Sequence, residues 1–269
     1  MAAWILTDVI DVLEAAYPPA RAESWDAVGL VCGDPAQPVE KVLFAVDPVA
    51  AVADEAVEWG ADLIVTHHPL YLRGTTTVAA TTPKGRLVHR LIKNDIALFT
   101  AHTNADVANP GVSDALARAV GLTGDLVPLQ PFPDDPWRGL GRVGDLPEET
   151  TLDAFAAQAA AGLPATSWGI RVAGDPSRRV SRVAVSGGAG DSLLAAARAA
   201  GVDVFLTADL RHHPASEFME AGGPALIDAA HWATEHPWLD SAASILTARG
   251  VTVETRVSAT VTDAWTRGY

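Results

Sequence analysis

The sequence predicts an α/β layer fold assembled from two copies of one βαβ plan, and three observations carry that expectation. Continuous apolar runs recur, Val42-Leu43-Phe44-Ala45-Val46 ahead of Asp47 and Val183-Ala184-Val185 ahead of Ser186-Gly187-Gly188. Such runs are strands buried on both faces, as in parallel sheets. An Ala-rich amphipathic segment follows each, closed by Gly60 or Gly201, and Thr66 or Thr207 comes six positions after that glycine. Each copy then has a further strand ending in histidine, residues 96–102 and 225–231, with a carboxylate four positions on, Asp106 and Glu235. Ligands of such folds bind beyond the carboxyl ends of the strands, where His67-His68-Pro69 stands.

In chain order, Trp4, Ile5, Val9, Val12 and Leu13 fall at helical spacing over residues 4–16, and Pro18-Pro19 stop that helix. Residues 24–34 read as a turn and short strand bounded by glycines. A helix over 49–59 and a strand over 63–65 follow. The Thr-rich stretch from Tyr71 to Lys84 reads as a loop, 86–93 as a helix and 96–101 as a strand. Asn109-Pro110-Gly111 makes a turn, and Ser113 is expected to cap a helix ending at Gly121. Residues 123–150, rich in Pro, Gly and Asp, read as the join between halves, with 139–144 strand-like. A helix over 151–163, a strand over 168–172, a helix over 237–248 and a strand over 251–257 complete the reading. The organisation expected is a first repeat over residues 1–125, a connecting segment over 126–180 and a second repeat over 181–269.

With 19 basic against 33 acidic residues, the formal charge is −14. The basic residues are scattered, which argues against a nucleic-acid binder; the acidity favours solubility and attracts divalent cations. Cys32 is the lone cysteine, consistent with a reducing compartment, and a cytoplasmic location is expected. No apolar run reaches the roughly 18 residues of a membrane span. Residues 1–18 lack the basic start and small-residue cleavage site of a leader.

The strand-end histidines and carboxylates suggest a two-metal centre between the halves. On an extended chain, neighbouring side chains point opposite ways, so His67 and His68 are expected to serve one ion each. Thr234 is a candidate cap of the helix that Pro237 opens, which would put Glu235 at a helix N-terminus with two oxygens able to bridge two cations. Asp106 could ligate one ion, and His231 supplies a third imidazole. This donor set suits Zn, Fe, Mn, Co or Ni better than Mg or Ca, which favour all-oxygen shells. His102 could ligate, orient Asp106 or shuttle protons, and His213 is a candidate for substrate contact or proton handling. Gly187-Gly188-Ala189-Gly190 could hold an anion or serve only as a tight strand-to-helix turn. There is no G-x-S-x-G and no Walker loop, and Cys32 has no evident base, so side-chain nucleophilic catalysis has no support.

These motifs, in this order, resemble the Nif-three-like family, whose bacterial members are named GTP cyclohydrolase 1 type 2 homologues or dinuclear metal-centre hexameric proteins. The matching stretches are Trp25-Asp26-Ala27-Val28-Gly29-Leu30, residues 61–69, His102-Thr103-Asn104-Ala105-Asp106, Gly139-Leu140-Gly141-Arg142, Thr207-Ala208-Asp209 and His231-Trp232-Ala233-Thr234-Glu235. The sequence departs at Ala27, where the family often has Asn, and at Ala208, where Gly is usual. The resemblance implies two intertwined, duplicated α/β repeats with mixed sheets flanked by helices, in the short form without an inserted domain. It implies a dinuclear site of His67, His68, Asp106, His231 and bridging Glu235, and a toroidal homohexamer. The function expected is a metal-dependent hydrolase acting on a small molecule or nucleotide. The alternative is a non-catalytic metal-binding scaffold working with a regulatory partner.

Overall fold

The continuous apolar runs form the central strands of two mixed sheets. The computed structural model describes residues 4–269; residues 1–3, at the head of the segment read for a leader, lie outside the described residues. The chain divides into two compact units, Met1–Ala105 with Leu239–Thr262 and Asp106–Trp238 with Asp263–Tyr269. Neither unit is one continuous segment, which is the intertwining that the family resemblance implied. Among the described residues no helix is long and apolar enough to cross a membrane.

In the first unit, α1 (Leu6–Ala16) buries Leu6, Val9 and Leu13 at three- and four-residue spacing. Then come β1 (Gly29–Cys32), β2 (Lys41–Ala45), α2 (Ala50–Trp59), β3 (Leu63–Thr66), α3 (Pro83–Lys93), β4 (Ala97–Thr100) and α4 (Thr103–Asp106), the last crossing into the second unit. β2, β3 and β4 run parallel, and β1 lies antiparallel on β4. Leu43, Ile64 and Leu98 of the sheet pack with Val52 and Ala56 of α2 and Leu87 and Leu91 of α3. Residues 71–82 form no helix or strand and are mostly exposed, as the loop reading expected.

The second unit holds α5 (Val112–Ala119), β5 (Thr123–Phe132), β6 (Asp135–Thr151), α6 (Leu152–Gly162), β7 (Ile170–Ala173), β8 (Arg179–Ala189), α7 (Leu194–Ala199), β9 (Val204–Ala208), α8 (His212–Glu220), β10 (Ala225–Ala229) and α9 (His231–Glu235). The chain then runs through α10 (Pro237–Ala248) to β11 (Glu254–Val257), which pairs parallel with β2. Residues 123–151 are therefore two long paired strands rather than an irregular join. Their prolines misled the reading. Pro128 and Pro131 sit on β5, the edge strand of its sheet, where a missing N–H is tolerated. Pro147 lies in a break of the β6–β8 register between Asp145 and Thr150. Beside them the Arg142 side chain is fully buried. Its guanidinium donates to Asp114 through Nε at 2.9 Å and Nη2 at 2.8 Å, and to the carbonyls of Gly139, Gly141 and Ala108. A buried charge persists only when so paired.

The duplication is visible in register and in bonds. Val42 pairs with Leu63 and Leu63 with Ala97 in one sheet; Val183 pairs with Val204 and Val204 with Ala225 in the other. Gly60 and Gly201 are left-handed, φ 73° and 65°, and each lets the chain turn into an aspartate with one job. Asp62 accepts the N–H groups of Glu40 and Lys41 at 2.8 and 2.9 Å, and Asp203 those of Ser181 and Arg182, both at 2.8 Å. Each aspartate thus ties the start of one strand to the start of its neighbour. Burial alone would raise the Asp203 pKa, but the N–H groups of Arg182 and Ser181 outweigh it and hold the carboxyl below its ordinary value. The folded pKa being depressed, the stabilisation is present above the unfolded value near 4 and lost as pH falls through the folded one. Asp203→Ala should therefore cost about 1–2 kcal/mol in urea unfolding at pH 7, and the deficit should shrink towards zero in acid. Equal deficits at both pH values would refute the carboxylate's part.

Candidate metal centre

In the first unit three imidazoles gather at the carboxyl ends of β3 and β4. The ring centroids of His67 and His68 are 5.2 Å apart, and those of His102 lie 5.1 and 5.6 Å from them. One ligand nitrogen from each falls within 4.8 Å of the others. β3 ends at Thr66, whose hydroxyl donates to the His68 carbonyl at 2.9 Å. The backbone N–H groups of His67 and His68 still donate to the Ala45 and Val46 carbonyls, at 3.2 and 2.9 Å, so both rings are carried just beyond the strand end.

Each ring is held by its Nδ1. His67 Nδ1 lies 3.0 Å from the Ala101 carbonyl, His68 Nδ1 2.7 Å from Asp47 and His102 Nδ1 2.9 Å from Asp26. With an oxygen acceptor at Nδ1, the tautomer carries its proton there and leaves Nε2 a lone pair. Burial, and then the His67 imidazole, push the His102 pKa below the ordinary imidazole value; Asp26 pulls the other way and loses. Burial would raise Asp26 itself, but hydrogen bonds from His102 and Thr103 prevail and keep it below the usual carboxylate range. Neutral imidazole beside anionic carboxylate is the protonation pattern of a metal ligand and its support.

The second unit repeats the device once. His231 Nδ1 sits 2.7 Å from Asp209, and its Nε2 2.9 Å from Glu235 Oε1, one turn along α9. The Glu235 side chain is buried. Asp209 itself takes φ +57°, a left-handed conformation that aspartate tolerates better than most residues and that clusters at functional sites. Gly188 has φ +64°, and a Cβ there would stand 2.6 Å from Glu235 Oε1 and 3.1 Å from His231 Nε2. The glycine pair is thus a tight turn that leaves room for these two side chains. Thr234 is no helix cap: its hydroxyl donates to the His231 carbonyl and accepts the Gly188 N–H. Glu235 ends α9 rather than opening the next helix. Ser113 likewise lies inside α5 and accepts the Gly187 N–H at 3.4 Å, while Asp114 caps the helix.

Asp106 is half-buried at the end of α4. His213 is exposed on the first turn of α8, its ring 5.1 Å from that of His212. Three carboxylates escaped notice as site residues, namely Asp26, Asp47 and Asp209. Asp26 and Asp209 stand in the stretches that carry the family resemblance, whereas Asp47 is marked only by its position just beyond the carboxyl end of β2.

The model of the family described as Duf34/NIF3 (NGG1p interacting factor 3) matches residues 5–264. The chain belongs to that family. A Streptomyces coelicolor relative described as a GTP cyclohydrolase 1 type 2 homolog is 62% identical over 267 residues, covering 97% of this chain and 93% of the relative. A Mycobacterium tuberculosis relative with the same description is 42% identical over 367 residues, covering 97% of this chain and 96% of its own. An aligned span longer than the 269 residues here requires inserted segments in the mycobacterial protein, so this NIF3 chain has the short form. A Bacillus cereus protein related to NIF3 superposes with TM-score 0.90 at 25% identity, covering 98% of this chain and 99% of that one.

In this NIF3 protein the donor chemistry fits a transition metal: imidazoles with supported Nδ1 atoms and carboxylates, in each unit. Removing a support should loosen the ligand without deleting it. Asp26→Ala and Asp209→Ala are each expected to weaken zinc binding by about 10–100-fold, read by competition with a chelating dye. Unchanged affinity in both variants would show that these carboxylates orient nothing.

Proposed function

We propose that the chain binds two divalent transition-metal ions through His67, His68, Asp106, His231 and Glu235, with Glu235 bridging, and that it hydrolyses a small molecule of the nucleotide class in the cytoplasm. The observation that carries this reading is the common treatment of four imidazoles, each with Nδ1 between 2.7 and 3.0 Å from an oxygen acceptor. The nucleotide class takes its support from the description shared by the relatives, which names GTP chemistry for them.

Two ions so held would supply Lewis-acid activation of water and of the bond it attacks. The remaining work belongs to the protein's own groups. Asp47, Asp209 and the Ala101 carbonyl fix the rings that carry the ligand nitrogens. His102, with Nδ1 on Asp26, offers Nε2 as the acceptor of the proton that water gives up. His213, exposed with its ring 5.1 Å from that of His212, is the candidate for substrate contact or proton handling. A second reading, a metal-binding scaffold acting with a regulatory partner, takes its support from the family's description as an interacting factor.

Metal analysis of the purified protein should return about two ions per chain, and Glu235→Ala should lose most of both. Retention of both ions in that variant would remove the bridge. A turnover screen over nucleotides with Zn, Mn and Fe separates the two readings: a filled site with no activity favours the scaffold. The assembly proposed is a homohexamer, and light scattering should give its mass; a clean monomer would count against it.

A further inference from the structure

A cavity of about 440 Å³ opens in the first unit beside the histidine cluster, with His68 and Asp47 in its wall. Its other walls are largely apolar, built by Pro48, Val49, Leu70 and Leu87, and Lys84 completes the lining. Two features distinguish it from an ordinary surface dimple. His68 belongs both to the cavity and to the cluster of ligand nitrogens, so a molecule in the cavity lies against the proposed reaction centre. Lys84 is exposed, touches the Tyr71 ring at 5.6 Å and has no carboxylate within ion-pair distance among the described residues. In a chain of net charge −14, Lys84 brings positive charge to the rim of a largely apolar cavity. Asp47, the acidic residue of the lining, is engaged by His68 and by the Thr262 hydroxyl. Neither α2 nor α3, whose first residues line the cavity, carries an acid in its first turn to repel an anion.

We propose that this cavity is the substrate pocket, that it takes an organic phosphate with a flat, ring-bearing body, and that Lys84 is the residue that pairs with the phosphate. The inference rests on the hydrolase reading above and specifies its substrate. The apolar walls suit a nucleobase-sized body, the cavity lies within the usual range of small-molecule sites of roughly 300–1,000 Å³, and the ammonium gives the anionic end a fixed point. Lys84 is a binding residue; it touches no reacting atom.

The test is calorimetry on the metal-loaded full chain, its metal content measured beforehand, with guanosine monophosphate, guanosine and inorganic phosphate as probes. The monophosphate should bind best. Lys84→Gln should weaken it about tenfold, Lys84→Arg should recover most of the loss, and guanosine should be indifferent to either change. Val49→Trp, at an exposed position of the lining, should block the monophosphate and leave the metal content intact. Wild-type affinity in Lys84→Gln, or inorganic phosphate binding as tightly as the monophosphate, would overturn the proposal. A protein that holds no metal yet binds the monophosphate in a Lys84-dependent way would reject the metal reading and retain the pocket. Failure of the monophosphate to bind a protein with both ions in place would do the reverse.

Discussion

The bond from an imidazole Nδ1 to an oxygen acceptor is the constraint around which both units are arranged. Free imidazole rings rotate and exchange tautomers; a ring that must present one nitrogen needs the other tied. This chain supplies the tie four times, from a backbone carbonyl at Ala101 and from Asp47, Asp26 and Asp209. Each acceptor lies at the mouth of the sheet, within a few residues of a strand end. The parallel order of β2, β3 and β4, and of β8, β9 and β10, brings those ends together. A residue far away in sequence therefore becomes a hydrogen-bond partner without any long loop.

The two copies have kept their scaffold and changed what stands on it. Asp62 and Asp203 still lock the strand starts in the same way. At the other end the equivalent threonines differ. Thr66 donates to the His68 carbonyl at 2.9 Å and is followed by two adjacent imidazoles, the first of them buried, whereas Thr207 donates to the Gly188 carbonyl at 2.9 Å and secures the glycine turn. Counting from Thr207, Asp209 stands where His68 stands after Thr66; the first copy has a ligand candidate there and the second a support for His231. The third strands also differ by one residue. His102 follows Ala97 by five positions, and His231 follows its register counterpart Ala225 by six. One copy thus offers a trio of imidazoles and the other an imidazole with a buried carboxylate.

How much of this could be read beforehand depended on whether the signal was local. The central strands announced themselves as unbroken apolar runs, and helix ends at Gly60 and Gly201 as glycines after periodic stretches. The histidines were legible because they punctuate strand ends. The β5–β6 pair was not, since Pro128, Pro131 and Pro147 signal a break locally, while edge position and register slips that tolerate them are properties of the sheet. Ser113 and Thr234 each resemble a cap, but tertiary structure spends both hydroxyls on the N–H groups of Gly187 and Gly188. Asp26 supports His102 across 76 residues of chain, a pairing that no spacing rule encodes.

On the proposed reading these supports tie metal binding to stability. Asp26 and Glu235 have buried side chains in a chain already strongly acidic, and burying carboxylates costs free energy unless positive charge compensates. Arg142 and Asp114 solve that problem within the protein by pairing. In the histidine clusters Asp26 takes the His102 imidazole and the Thr103 hydroxyl, Asp47 the His68 imidazole and the Thr262 hydroxyl, and Asp209 the His231 imidazole. A divalent ion bound there would bring positive charge to these carboxylates. Ions that bind the folded chain and not the unfolded one then add their binding free energy to folding, so the acceptors that fix each ring also set how strongly metal and fold depend on each other.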